Sequence, residues 1–131
     1  MFVDASALVA IVAGEADAEM LGQKLVEAEA RLTSPVAIYE ATLALARLGN
    51  TSISAGQGSL QGLLDYAGIE LVSITPDIGR IAIEAFARFG RGKHPARLNM
   101  GDCFAYACAR SLGVPLLAKG EDFPLTDIEL A

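Results

Sequence analysis

Histidine and cysteine are nearly absent from this sequence, which has one His and two Cys in 131 residues. The chain lacks the paired His and Cys ligands that typify Zn²⁺ sites. The two cysteines, Cys103 and Cys108, fall five apart in one predicted helix, where their Cβ vectors diverge by about 140° and do not bridge. They are expected to be buried thiols in a reducing cytoplasm. Although 53% of the residues are hydrophobic, no run of about 18 uninterrupted apolar residues exists to cross a membrane. The N-terminus lacks a basic region and carries Asp4 inside its apolar stretch, which argues against an export signal. Repeats, low-complexity segments and Pro/Gly/Ser linkers are missing as well. The expectation is one soluble, cytoplasmic domain over residues 1–131, with enough apolar content for a core and no membrane contact.

Positive charge is also scarce, and the net charge is −6. Taken alone this argues against a nucleic-acid binder, because phosphate neutralisation needs a positive surface. The distribution weakens the objection. Arg88, Arg91, Lys93 and Arg97 lie within one ten-residue stretch that contains no acid, with His94 among them. Such a stretch is either a solvated loop or a local phosphate-binding surface.

Short apolar strands alternate with longer helical segments. A strand at Met1–Asp4 is followed by helices over Ser6–Ala13 and Ala16–Glu29, and a second strand covers Arg31–Thr33. Ser34-Pro35 supplies an N-cap and a first-turn proline for a helix ending at Gly49-Asn50. Residues 54–67 read as a weaker helix loosened by Gly56, Gly58 and Gly62, and Ile69–Ile74 as the clearest strand. Thr75-Pro76 opens another helix ending at Gly90. Asn99–Leu112 forms a further one, and strands follow at Leu116–Ala118 and Ile128–Leu130. Strands separated by helices imply an α/β fold with a parallel sheet covered on both faces. Sites in such folds form at the carboxyl ends of the strands, where the strand order reverses.

Four acids map to that edge. Asp4 ends the first strand, and Asp122 follows the strand at Leu116–Ala118 across a Lys-Gly turn. Glu40 is the only acid between Val36 and Leu48, with Val36, Ala37, Leu43 and Ala44 around it on the helical wheel. Asp102 lies in a helix where Arg110 is the only other charge, on a stripe with Leu98, Ala105, Tyr106 and Ala109. Each has an ordinary alternative. Asp4 and Asp102 can cap helices, Glu40 can be a half-exposed helix residue, and Glu121 can serve in place of Asp122. Taken together they demand more. Two carboxylates about 6 Å apart at an effective dielectric near 20 repel by roughly 3 kcal/mol, so a convergent set needs a divalent ion or raised pKa values. All-oxygen ligands suit Mg²⁺ or Mn²⁺.

The chain resembles a PIN domain, and specifically the VapC-type toxins of type II toxin–antitoxin pairs. The resemblance spans the whole length. It rests on Val3-Asp4-Ala5-Ser6, Tyr39-Glu40-Ala41, the segment Leu98-Asn99-Met100-Gly101-Asp102-Cys103-Phe104-Ala105-Tyr106-Ala107, and Leu116-Leu117-Ala118-Lys119-Gly120-Glu121-Asp122-Phe123. It implies an α/β/α sandwich with a short parallel sheet, and Asp4, Glu40, Asp102 and Asp122 as catalytic, metal-binding acids. It further implies Ser6 as support for the first acid and Asn99 close to the site. Glu121 departs from the Asn or Asp that these toxins often carry before the fourth acid.

The activity this implies is hydrolysis of RNA phosphodiester bonds by a water activated by Mg²⁺ or Mn²⁺, leaving a 5′-phosphate and a 3′-hydroxyl. Arg91, Lys93 and Arg97 would then contact the RNA backbone. The implied partners are a VapB-type antitoxin whose C-terminal segment covers the site, and a second copy of the chain in a homodimer. The alternatives are a non-catalytic RNA- or protein-binding module, whose stability would not respond to divalent ions, and a phosphotransfer enzyme with Asp4 as nucleophile. The latter wants a second Asp two residues on, where this chain has Ser6.

Overall fold

A computed structural model describes all 131 residues. Four two-residue strands, β1 (Phe2–Val3), β2 (Leu32–Thr33), β3 (Glu70–Leu71) and β4 (Leu116–Leu117), form one parallel sheet in the order β3-β2-β1-β4. Six helices surround it: α1 (Ala5–Ala13), α2 (Ala18–Glu27), α3 (Pro35–Leu48), α4 (Ile53–Ala67), α5 (Pro76–Phe89) and α6 (Met100–Leu112). A 3₁₀ turn covers Phe123–Leu125. The α/β/α sandwich expected from the alternation of strands and helices is the observed architecture.

The period-two geometry of a strand divides the core between the two faces. Phe2 pairs with Leu116 and Val3 with Leu117. Val3 and Leu117 point into a cluster with Leu8, Leu21, Leu25, Leu45 and Leu60 from α1 to α4. Phe2 and Leu116 point the other way, to Ile78, Phe89, Leu98 and Tyr106 from α5, α6 and the loop between them. Strand order reverses at β1, which has β2 on one side and β4 on the other. That reversal sets the carboxyl ends of β1 and β4 side by side.

Local chemistry fixes the helix starts. Ser34 Oγ accepts the Ala37 N–H at 3.2 Å and Thr75 Oγ1 the Ile78 N–H at 3.2 Å, each ahead of a first-turn proline. Gly113 closes α6 in the left-handed conformation, φ 65°. Arg31 secures two helix ends at once, donating to Leu25 O at 2.6 Å, Val26 O at 2.8 Å and Ala67 O at 2.8 Å.

Three expectations need correction. The apolar run Ile69–Ile74 pairs only at Glu70–Leu71, because its sole neighbour, β2, stops where Ser34 begins to cap α3. Residues 53–67 form an unbroken helix, and Gly56 is a close-packing position: a Cβ there would lie 2.8 Å from Thr42 O and 3.1 Å from Ala46 N. Ile128–Leu130 forms only a single bridge, Leu116 to Leu130. No helix is long and apolar enough to cross a membrane, and both cysteines are free and buried.

Candidate active site

Asp4 follows β1 directly and caps α1, so the ordinary reading of this residue and the functional one hold together. It is 4% exposed. Its Oδ2 accepts the Ser6 N–H at 2.9 Å and the Ser6 hydroxyl at 2.6 Å. Ser6 Oγ in turn accepts the Lys119 N–H at 2.9 Å, tying the turn after β1 to the turn after β4. Burial raises the Asp4 pKa above the ordinary aspartate value, and the Ser6 hydrogen bonds oppose that rise.

Asp102 occupies the third position of α6. It shares a reciprocal capping box with Asn99, whose N–H donates to Asp102 Oδ2 at 2.8 Å while the Asp102 N–H donates to Asn99 Oδ1 at 2.9 Å. Burial pushes its pKa up to about 6; the Asn99 hydrogen bond resists, the charges of Asp4 and Asp122 add to the rise, and Arg91 counters it. Glu40 reaches the same place from α3. Burial, then the charges of Asp4 and Asp102, push it up to about 7, and no hydrogen bond opposes the shift. Asp122 is exposed at the start of the 3₁₀ turn, close enough to act on Asp102.

The four acids therefore share one electrostatic environment at the β1–β4 edge, drawn from four separate segments. No three His, Cys, Asp or Glu side chains close as tightly as ligands around a bound ion. The donor set is carboxylate oxygen throughout, and the Arg91 charge opposes the rise at Asp102. That chemistry fits a hard divalent cation.

Residues 1–129 match the sequence profile of the PIN domain. The chain belongs to the PIN-domain family. Within that family it is 41% identical to a VapC ribonuclease of Mycobacterium bovis, over 100% of this chain and 98% of that protein. It is 40% identical to a ribonuclease VapC of Mycolicibacterium smegmatis, over 98% and 97% of the two chains. Among solved structures, the crystal structure of Mycobacterium tuberculosis VapC20, described as a sarcin-ricin loop cleaving toxin, superposes with a TM-score of 0.78 at 19% identity. It covers 99% of this chain and 97% of that one. A toxin–antitoxin complex from Klebsiella pneumoniae gives a TM-score of 0.68 at 15% identity, over 93% and 88%. At these identities the two structures support the fold.

The basic segment of this PIN domain joins α5 to α6. Arg91, Lys93, His94 and Arg97 line one open depression of about 570 Å³. The turn is built by backbone bonds Lys93 N–H to Gly90 O and Arg97 N–H to His94 O, both 3.0 Å, with Arg97 at φ 52°. His94 serves the turn: its Nδ1 accepts the Ala96 N–H at 3.1 Å and its ring stands edge-on to Phe89. Arg88 leaves the group, pairing with Asp127 at 2.9 Å and stacking over Phe89. The contiguous basic stretch thus divides, with Arg91, Lys93 and Arg97 left exposed.

Beside the acids, α1 and α3 enclose an open cavity of about 580 Å³, lined by Ser6, Tyr39, Glu40, Leu43, Arg47 and Lys119 among others. A larger one, about 660 Å³, lies between α5 and α6 around Ile83, Phe86 and Met100 and contains no acid. The four acids do not line the larger, apolar volume. Two contributors were not singled out in the sequence. Lys119 pairs with Glu15 and Asp17 while its backbone holds Ser6. Gly101 lies against the Glu40 carboxylate. The available signal is the Gly directly before the acid in Met100-Gly101-Asp102, but a glycine reads first as a turn.

Proposed function

We propose that this VapC-type PIN domain hydrolyses RNA phosphodiester bonds with a water activated at Asp4, Glu40, Asp102 and Asp122, using Mg²⁺ or Mn²⁺. The observation that carries this reading is the convergence of Asp4, Glu40 and Asp102 at one edge, where burial and then neighbouring carboxylates (Asp4 and Asp102 at Glu40, Asp4 and Asp122 at Asp102) raise two of the acids. Asp4, Asp102 and Asp122 would hold the ion, with Glu40 completing the shell or orienting the water. When bound, a divalent ion supplies the positive charge that neutralises the carboxylates and the scissile phosphate and lowers the pKa of water. Ser6 and Asn99 hold Asp4 and Asp102 in place through the hydrogen bonds described above. The oxygen of water bonds to phosphorus as the P–O3′ bond breaks; the departing oxygen takes a proton, and the products carry a 5′-phosphate and a 3′-hydroxyl.

Arg91, Lys93 and Arg97 contact the RNA backbone in this reading, which reconciles a net charge of −6 with a polyanionic substrate. The partner that silences the enzyme is a VapB-type antitoxin. The open cavity between α1 and α3, bordering Glu40 and offering Tyr39, Leu43 and Arg47, supports an inserted protein segment there. A homodimer in the cytoplasm completes the reading, supported by the exposed apolar side chains Ile83, Phe86 and Met100 on α5 and α6. The decisive experiment is cleavage of a mixed RNA pool with Mg²⁺, with Mn²⁺ and with chelator, comparing wild type with Asp102→Asn. Ion-dependent cleavage by wild type alone supports the reading; equal cleavage by the variant refutes it.

A further inference from the structure

We propose that Gly101 is a positioning residue of this ribonuclease, required because the space its missing side chain leaves is the seat of the Glu40 carboxylate beside Asp102. The inference rests on the role given to Glu40 above. Gly101 is buried in the first turn of α6, immediately before Asp102. A Cβ built on it would overlap both carboxylate oxygens and the Cδ of Glu40.

The usual reasons for glycine do not apply at this position. Its φ is not positive, unlike Gly14, Gly68, Gly92, Gly113 and Gly120. The three atoms nearest its Cβ position all belong to the Glu40 carboxylate, whereas at Gly56 the nearest are backbone, Thr42 O and Ala46 N. Glycine in a helix is disfavoured relative to alanine, so the residue carries a cost that local structure does not explain. What the position admits is the end of one flexible acidic side chain from α3, placed where it feels both Asp4 and Asp102. A methyl group at 101 meets that mobile end and not a rigid wall. The fold can accept it by swinging Glu40 aside, and the displaced group is the one the chemistry needs.

Stability and activity therefore separate. Gly101→Ala is expected to fold with a melting temperature no lower than wild type, and to cleave RNA at least tenfold more slowly in single-turnover assays with Mg²⁺ or Mn²⁺. In a Glu40→Ala background no carboxylate remains to be displaced, so adding Gly101→Ala should cause no further loss. That non-additivity marks two residues acting as one unit. Pairing Gly101→Ala with Glu40→Asp, which shortens the side chain by one methylene, should recover part of the lost rate. Wild-type cleavage by Gly101→Ala alongside an inactive Glu40→Ala overturns the inference, as do losses that multiply in the double variant. If Gly101→Ala fails to fold, the Glu40→Ala/Gly101→Ala protein decides: folding supports crowding against Glu40, and failure to fold overturns it. Full activity of Glu40→Ala would instead refute the catalytic reading beneath the inference.

Discussion

The Ser6 hydroxyl donates to Asp4 Oδ2 at 2.6 Å, two residues away across the N-cap of α1. Because the same oxygen accepts the Lys119 N–H, one hydroxyl fixes the buried acid and fastens the turn after β4. Removing it leaves Asp4 with backbone N–H donors only and leaves the Lys119 N–H without its partner. Ser6→Ala should therefore lower stability by about 1–3 kcal/mol in denaturant titrations. It should also move the acidic limb of the cleavage pH profile upward, because a hydrogen bond that lowers the Asp4 pKa is gone. An unmoved limb would show that Asp4 does not govern it.

Asp4, Glu40 and Asp102 all have folded-state pKa values above their ordinary ones, Glu40 at about 7 and Asp102 at about 6. The native state thus favours their neutral forms. Their contribution is fully present at pH below the ordinary carboxylate range and is lost as pH rises through the folded values. Asp127, lowered by Tyr106 and Arg88 against its own desolvation, acts in the opposite sense, but only below the ordinary value of 3.8. In chelator the melting temperature should fall between about pH 4 and pH 8. Mn²⁺ should restore it at pH 8 and do less at pH 5, where protons compete for the same oxygens. A flat pH profile with no Mn²⁺ response would contradict the shared environment of these acids.

Much of the site was legible because its chemistry interrupts a pattern. Asp102 stands in a helix with one other charge and Asp4 in an apolar strand, so both announced themselves as anomalies. The Ser34-Pro35 and Thr75-Pro76 starts were equally plain, since capping is local. Pairing is not local: Ile69–Ile74 carries strand-forming residues, yet how much of it forms a strand depends on how soon β2 turns into α3. Gly56 and Gly101 share one letter, and only the atoms facing them tell backbone contact from a carboxylate seat.

The glycines of α4 offer a direct check on that distinction. Gly58 and Gly62 face open space, so alanine at either should stabilise by up to about 1 kcal/mol through helix propensity. Gly56→Ala forces a methyl into Thr42 O and Ala46 N of α3 and should destabilise by about 1–3 kcal/mol. Thermal melts of the single variants report both signs, and a stabilising Gly56→Ala would mean that α3 and α4 are not so closely apposed.

Arg91, Lys93 and Arg97 are exposed around one depression, and the charge of Arg91 reaches Asp102. Replacing each by alanine in an Asp102→Asn background, where RNA stays intact, should weaken binding of single-stranded RNA. Each lost phosphate contact should reduce the slope of log affinity against log salt by about 0.7. An unchanged slope in the triple variant would place RNA elsewhere on the surface.

The proposed function requires acids from four segments to act as one cation site. Calorimetric titration of Mn²⁺ into wild type and into Asp4→Asn, Glu40→Gln, Asp102→Asn and Asp122→Asn puts that requirement to the test. Wild type should bind Mn²⁺ saturably, and each of the four variants, still folded, should bind it more weakly. Undiminished Mn²⁺ affinity in Asp4→Asn and Asp102→Asn, or no saturable binding to wild type, would contradict the proposed function.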